Sequence, residues 1–177
     1  MVLVGLGSNR GDTVGFVRRA ADELARLYPR DFRASSLWRT SPVDCPPGSG
    51  DFVNAVVSFD VDAGHPAGDP TGNPPGDPEQ LLARLKAMEK CYGRGVAGVK
   101  NAPREIDLDL LVFGGEVRVV PGLTLPHPRA HLRRFVMVPA AEVAPGLVWP
   151  GTRRSIAQLA GALETEEVLT RIGRLRS

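Results

Sequence analysis

The order of strand-like and helix-like segments restricts the possible fold of this chain more than any other feature. Apolar runs and two-residue alternation predict strands at residues 2–7, 32–39, 52–61 and 106–113. Apolar residues repeating every three or four positions predict helices at residues 13–27, 78–92, 130–140 and 155–163, the third of them broken at Pro139. Gly114-Gly115 predicts a hairpin between residues 106–113 and a short strand at 116–120. Since both helices and a hairpin separate the strands, we expect an α+β fold with a mainly antiparallel sheet.

Charge and cysteine content exclude several functional classes. The 177 residues include 22 Lys and Arg against 20 Asp and Glu, without the basic excess that a nucleic-acid groove needs. Cys45 and Cys91 match neither a zinc spacing nor a disulfide framework. The apolar runs are too short for a membrane span, and the first residues lack the basic region of an export signal. We therefore expect a cytoplasmic protein that does not bind membranes or nucleic acids.

The chain also contains a segment that cannot contribute to a core. Residues 64–79 form four consecutive Gly-x-Pro-x tetrapeptides, and this period of four is incompatible with collagen, which needs glycine at every third position. Such a segment buries little apolar surface, so it is expected to be an extended surface loop. A dedicated partner-binding motif is the alternative. We expect one domain over residues 1–177, with this loop inserted at about residues 63–77.

Two aspartates interrupt the most strand-like segment of the chain, residues 106–113. Because side chains alternate along a strand, Asp107 and Asp109 share one face, and the apolar residues around them share the other. Two neighbouring carboxylates repel each other, and Mg²⁺, which binds one or two carboxylates together with phosphate oxygens, would relieve that repulsion. The alternative is a solvent-facing sheet surface with basic neighbours across the strands.

Cationic residues lie on both sides of this segment. Residues 93–100 contain three glycines, Arg94 and Lys100 but no large apolar residue, which is typical of a flexible, positively charged lid. Arg104 follows this segment. Residues 127–134 contain two histidines and three arginines, which would suit phosphate binding. A solvated loop and a solvated helix face are the alternatives for the two segments.

Taken together, these motifs resemble the 6-hydroxymethyl-7,8-dihydropterin pyrophosphokinases of folate biosynthesis. The resemblance runs in order along most of the chain. It comprises Leu6-Gly-Ser-Asn9, Arg39-Thr-Ser-Pro42, Asp51-Phe-Val-Asn54-Ala, Gly93-Arg94, Ala102-Pro-Arg104-Glu-Ile-Asp107-Leu-Asp109, Pro126-His127-Pro, Arg133-Arg-Phe135-Val and Val148-Trp-Pro150.

The resemblance implies a fold and a reaction. The fold would be a ferredoxin-like three-layer sandwich, a mainly antiparallel sheet with helices on both faces. The reaction would transfer pyrophosphate from ATP to the hydroxymethyl oxygen of the pterin and release AMP. ATP and 6-hydroxymethyl-7,8-dihydropterin would be the partners, with two Mg²⁺ ions as cofactors and no obligate protein partner.

The resemblance also implies roles for individual residues. Asp107 and Asp109 would hold the metal and, with Arg94 and Arg104, form the catalytic set. The ATP-binding residues would be Glu89, Arg94, Arg104, Leu110, Thr124, His127 and Arg133. The pterin-binding residues would be Thr40, Val43, Asn54 and Phe135, in which Asn54 bonds the edge of the heterocycle and Phe135 stacks on the ring.

Two other functions are compatible with parts of the sequence. A nucleotidyltransferase would use a Gly-Ser motif and an Asp-x-Asp pair, although Ser8 lies about a hundred residues from Asp107. A non-catalytic module on the same scaffold is suggested by Val96 and Asn101, where some relatives carry arginine and tryptophan in the lid. AMP release from ATP in the presence of the pterin distinguishes the three functions.

Overall fold

The computed structural model describes residues 1–41, 50–61, 77–93 and 105–176. The Gly-x-Pro-x tetrapeptides up to residue 76, residues 94–100 of the predicted lid and three predicted site residues, Val43, Arg94 and Arg104, lie outside these ranges. Within them, no helix has both the length and the apolar character needed to cross a membrane.

A six-stranded sheet forms the centre of the described part of the chain. Its strands are β1 (Val2–Ser8), β2 (Arg33–Ala34), β3 (Ser36–Thr40), β4 (Phe52–Phe59), β5 (Asp107–Phe113) and β8 (Leu169–Arg174). Their order is β5-β1-β4-β3-β8, and β2 also pairs with β4. Every pairing is antiparallel, as predicted.

Helices cover both faces of this sheet. The helices are α1 (Thr13–Leu27), α2 (Pro78–Cys91), α3 (Arg134–Val143) and α4 (Ile156–Ala162). Buried residues of α1 and α2 form one core with one sheet face, and those of α3 and α4 form a second core with the other. The described residues therefore build the three-layer α+β sandwich expected from the sequence.

Local capping explains why three helices begin where predicted. The Asp12 carboxylate accepts a 2.9 Å hydrogen bond from the Gly15 N–H at the start of α1. Asp77 caps α2 in the same way, with a proline in the first turn. At α4, Ser155 and Gln158 form a reciprocal capping box. These bonds satisfy N–H groups that have no partner inside the helix.

The predicted hairpin at Gly114-Gly115 is wrong. Strand β6 (Arg118–Val120) pairs with β7 (Leu123–Leu125) and not with β5. The Gly114 N–H donates a 2.9 Å hydrogen bond to the Met1 carbonyl, so the end of β5 stays beside β1. The tight turn lies instead between β6 and β7, where Gly122 has a positive φ of 86°.

Two further features differ from the prediction. The helix expected over residues 130–140 is divided at Arg133, after a 3₁₀ turn at Ala130–Leu132, and Pro139 lies inside α3. Strand β8 was not predicted, because its residues, Leu-Thr-Arg-Ile-Gly-Arg, show no two-residue alternation of apolar side chains.

Candidate active site

Asp107 and Asp109 lie on the α3 side of the sheet, next to two glycines. Gly7 is directly opposite Asp107 and Gly5 is directly opposite Asp109 in the β1–β5 ladder. Directly opposed residues project to the same face. Because glycine has no side chain, the two half-buried carboxylates border a bare stretch of sheet, which we call the glycine floor (Gly5 and Gly7). Both glycines stay partly exposed, although the side chains of Leu111 and Asn54 lie close above Gly5 and Gly7 respectively.

Asn54 borders the glycine floor on its other side. It lies opposite Gly7 in the β1–β4 ladder, and neighbouring strands are about 4.8 Å apart, so its backbone is about 10 Å from that of Asp107. The side chain is only 7% exposed, and its Nδ2 donates a 2.8 Å hydrogen bond to Thr40 Oγ1. This bond fixes the orientation of the amide. Thr40 and Asn54, both predicted at the pterin, are thus brought together.

His127 is tied to β5 close to the aspartates. The β1–β5 ladder skips Leu111, whose carbonyl accepts a 2.8 Å hydrogen bond from the His127 N–H. Burial lowers the pKa of His127 below its ordinary value of 6.5, and the positive charges of Arg133 and Arg129 act in the same direction. The negative charge of Asp109 opposes them. The bond to β5 therefore holds the loop of residues 126–129 where the charges of both Asp109 and Arg133 act on the His127 ring.

A hydrogen bond to the His127 ring indicates which of its two nitrogens carries the proton. Its Nδ1 accepts a long 3.4 Å hydrogen bond from the Arg129 N–H, which assigns the proton of the neutral ring to Nε2. A neutral imidazole with Nε2–H is a hydrogen-bond donor, so it can bind a phosphate oxygen without carrying a charge.

Arg133 and Phe135 meet at the start of α3. The guanidinium carbon of Arg133 lies 5.3 Å from the centre of the Phe135 ring, within the range of a cation–π contact. The half-buried ring belongs to the helix layer above the face that carries Asn54. One contact thus joins a residue predicted at ATP to a residue predicted at the pterin.

Glu89 does not lie on the face of the aspartates. Its side chain is fully buried, and Oε1 accepts hydrogen bonds from the Leu108 N–H and from Lys86 Nζ, both at 2.7 Å. Lys86 also donates to the Leu108 carbonyl at 3.0 Å. Helix α2 thus holds both backbone groups of the residue between the two aspartates. The ATP contact that the resemblance implies for Glu89 stays a prediction, and the structure shows that this carboxylate supports β5 from the α2 side.

The two remaining predicted ATP residues that the structure describes are Leu110 in β5 and Thr124 in β7. The side chain of Leu110 is buried in the core on the α1 and α2 side, opposite the aspartates, so it does not reach the glycine floor. Thr124 lies half-buried in β7, between the two core residues Leu123 and Leu125.

Sequence reasoning missed three residues on the sheet face that carries the aspartates and Asn54. Gly5 and Gly7 alternate with apolar residues in 2–7, and that two-residue period was a signal for one bare strand face. Phe52 lies opposite Thr40 in the β3–β4 ladder and shares its face, and the alternation of residues 52–61 could have placed it beside Asn54.

Comparisons with known proteins point to one family. The family model described as 7,8-dihydro-6-hydroxymethylpterin-pyrophosphokinase matches residues 3–145. The 2-amino-4-hydroxy-6-hydroxymethyldihydropteridine pyrophosphokinase of Synechocystis is 34% identical over 157 residues, covering 89% of this chain and 73% of the relative. The enzyme of the same name from Pseudomonas aeruginosa is 33% identical, covering 86% of this chain and 85% of its own length.

A solved structure has the same fold. The Plasmodium falciparum HPPK-DHPS wild-type protein superimposes with a TM-score of 0.64 over 90% of this chain, at 12% sequence identity. This chain spans 43% of that protein. At this identity the similarity concerns the fold alone.

Proposed function

This chain belongs to the 7,8-dihydro-6-hydroxymethylpterin pyrophosphokinase family, and we propose that Asp107 and Asp109 are the carboxylates on which its reaction depends. It is an ATP-dependent pyrophosphokinase of folate biosynthesis. It transfers pyrophosphate from ATP to 6-hydroxymethyl-7,8-dihydropterin, giving the pterin diphosphate and AMP. The observation that carries the proposal is the position of both carboxylates beside the glycine floor, across from Asn54.

The two carboxylates suit Mg²⁺. The carboxylate oxygens are hard ligands, and both carboxylates are half-buried beside the partly exposed glycine floor, so they could share a cation with phosphate oxygens. Among the described residues, no group of three or more His, Cys, Asp or Glu could hold a metal. We propose a site in which the two carboxylates and the phosphate oxygens of ATP together hold two Mg²⁺ ions. Bound Mg²⁺ would neutralise charge on the phosphates and help to align them.

The phosphates of ATP are proposed to lie between the aspartates and the His127 loop. His127 would donate from Nε2–H, and Arg133 would contribute a fixed positive charge. Arg94 and Arg104, which lie outside the described residues, are proposed from the resemblance as further phosphate contacts. Thr124 is proposed to contact ATP from β7, and Leu110 only through its backbone.

The pterin is proposed to lie above Asn54. A carboxamide offers both a donor and an acceptor to a heterocycle edge, and the bond to Thr40 holds it in one orientation. Phe135 would stack on one side of the ring, and Phe52 shares the face of Asn54 and Thr40. Val43, outside the described residues, is proposed to contribute its backbone.

In this arrangement the protein contributes positioning and electrostatics. The hydroxymethyl oxygen forms a bond to the β-phosphorus of ATP while the bond from that phosphorus to the AMP oxygen breaks. The hydroxyl proton passes to solvent, and the arginines and His127 stabilise the negative charge that develops. Little covalent chemistry is asked of the protein, which is consistent with a site made of carboxylates, cations and an amide.

Two properties of the whole chain are proposed as well. Residues 1–177 are proposed to form one domain with an inserted loop at about residues 63–77. The reaction is proposed to take place in the cytoplasm, since it consumes ATP. Fractionation of cells followed by detection of the protein tests the location.

The proposed function is tested by product analysis. The protein is incubated with ATP, Mg²⁺ and 6-hydroxymethyl-7,8-dihydropterin, and nucleotides are separated by chromatography. AMP and pterin diphosphate should form in equal amounts, and only when the pterin and the metal are both present. Formation of ADP, or of AMP without the pterin, would contradict the proposal.

A further inference from the structure

The C-terminal part of the chain contacts two elements that carry predicted pterin residues: β3, with Thr40, and α3, with Phe135. The match to the family model ends at residue 145, and β8 (Leu169–Arg174) lies beyond it. Strand β8 pairs with β3, so that Leu169 is directly opposite Thr40, the partner of Asn54. Just before β8, Glu167 reaches the start of α3, which carries Phe135. We call residues 167–174 the C-terminal brace.

Side-chain bonds fix the brace against β3 and α3. Arg171 Nε donates a 2.7 Å hydrogen bond to Ser36 Oγ at the start of β3. Both Ser36 N–H and Trp38 Nε1 donate 2.7 Å bonds to the carboxylate of Glu142 in α3. Strand β3, helix α3 and the brace are therefore connected through one hydrogen-bonded group of residues.

The first turn of α3 is closed by backbone bonds from the Val136 and Met137 N–H groups to the Arg133 carbonyl, at 3.1 and 3.0 Å. Its N-cap residue, Arg133, makes no side-chain capping bond. Pro139 has no N–H, so the helical bond to the Phe135 carbonyl four residues earlier is missing. The N–H groups that precede Val136 in the helix have no acceptor within it and need one from outside.

Glu167 provides such a contact. Its Oε2 accepts a 3.1 Å hydrogen bond from the Phe135 N–H, which is one of the N–H groups that a helix start leaves without a partner. The Glu167 carbonyl also accepts a 3.5 Å bond from Arg134 Nη1. A carboxylate at this end of the helix is favoured by the helix dipole as well.

We propose that Glu167 is a positioning residue for the pterin: it fixes the backbone of Phe135 and thereby the height of its ring above Asn54. The inference rests on the proposed function, in which Phe135 and Asn54 hold the pterin. Glu167 does not touch the substrate and acts through Phe135. We expect the effect to be larger on the pterin than on ATP, because Glu167 is bonded directly to the Phe135 N–H, whereas Arg133, which contacts the Phe135 ring, is only one of several cations proposed at ATP.

Steady-state kinetics on three variants tests this role. Glu167→Ala removes the acceptor, Glu167→Gln keeps an oxygen that can accept the Phe135 N–H, and Glu166→Ala is the matched control at an exposed neighbour. We expect Glu167→Ala to raise KM for the pterin about fivefold, the effect of losing one hydrogen bond, with KM for ATP changed less than about twofold. Glu167→Gln and Glu166→Ala should stay near the wild type.

The outcomes separate this inference from the proposed function. Absence of pterin-dependent AMP formation by the wild type overturns the proposed function, and the inference with it. An active wild type with equal rises of both KM values in Glu167→Ala, or with no rise, overturns the positioning role alone. A defect in Glu167→Gln as large as that in Glu167→Ala also overturns it. Should Glu167→Ala fail to fold, Glu167→Asp, one methylene shorter, is expected to show the same selective rise, and an unchanged pterin KM contradicts the role.

Discussion

The Nδ2 amide of Asn54 donates a 2.8 Å hydrogen bond to Oγ1 of Thr40, across the β3–β4 pair. Both side chains are largely buried, so the bond has little competition from water. It leaves the Asn54 oxygen, and the second hydrogen of the amide, oriented by the sheet. In the proposed site, Thr40 would therefore contribute to pterin specificity by orienting the amide of Asn54.

Replacing Thr40 tests this orientation. Thr40→Val has nearly the same shape but removes the acceptor, so the amide of Asn54 loses its fixed orientation and a buried partner. We expect KM for the pterin to rise by roughly fivefold to tenfold, since the loss of one hydrogen bond costs about 1–1.4 kcal/mol. Thr40→Ser keeps the hydroxyl and is the control. Similar pterin KM values in the two variants would show that the bond does not orient Asn54.

A side chain at Gly7 should displace the amide of Asn54. A Cβ at this position would lie 3.0 Å from Asn54 Oδ1, closer than ordinary contact. Gly7→Ala is expected to weaken pterin binding by about tenfold or more, because the amide has to move, while the fold persists. Isothermal titration with the pterin and an ATP analogue measures this. Pterin affinity equal to that of the wild type would show that the glycine floor is not needed beside Asn54.

Gly5 provides the matched comparison for the same change. A Cβ on Gly5 would meet side-chain atoms of Leu111 at 3.5 Å, an ordinary van der Waals distance. Gly5→Ala should therefore leave pterin affinity nearly unchanged. Equal losses in Gly5→Ala and Gly7→Ala would indicate a general effect of β1 on the site.

Replacement of Glu89 is expected to lower the stability of the fold. Glu89→Ala leaves the Leu108 N–H without its buried acceptor and Lys86 without its ion-pair partner. We expect the free energy of unfolding to fall by on the order of 3 kcal/mol, measured by urea denaturation. Glu89→Gln, which can still accept the Leu108 N–H, should lose less. A large loss of ATP affinity with unchanged stability would instead support the direct ATP contact that the resemblance predicted.

The lowered pKa of His127 predicts a pH dependence of stability in the metal-free, nucleotide-free protein. The unfolded chain titrates near 6.5, above the folded His127, so it binds more protons once the pH falls towards that value. The His127 contribution is therefore present at neutral pH and is lost on acidification, from about pH 6.5 towards the folded pKa. Denaturation of the wild type and His127→Gln between about pH 8 and pH 5 measures it. A stability difference that is independent of pH, or that favours the wild type more at low pH, would contradict the assignment.

Local chemistry explains what could be predicted from the sequence. Helix α1 begins and ends as predicted, because an N-cap aspartate and a regular apolar spacing are both properties of neighbouring residues. The shared face of Asp107 and Asp109 followed from the two-residue period of a strand. The family resemblance depended on motif order, which is also written in the sequence.

What could not be predicted depends on distant parts of the chain. The burial of Glu89 beneath β5 arises from the packing of α2 against an edge strand, which no local pattern reveals. The hairpin was misplaced because both Gly114-Gly115 and Gly122 can turn the chain, and only the pairing of β5 with β1 decides between them. Glu167 is separated from Phe135 by more than thirty residues, so its contact appears only in the folded chain.

The claim that Asp107 and Asp109 bind the metal is tested most directly by a metal titration. Mn²⁺, which accepts the same oxygen ligands as Mg²⁺, is titrated in the presence of a non-hydrolysable ATP analogue and followed by electron paramagnetic resonance. We compare the wild type with Asp107→Asn, Asp109→Asn and, as a control for charge, Glu164→Gln at an exposed position. Each aspartate variant should bind the metal at least about tenfold more weakly, remain folded by circular dichroism and lose AMP formation, while the control matches the wild type. Wild-type metal affinity in both folded aspartate variants would contradict the account.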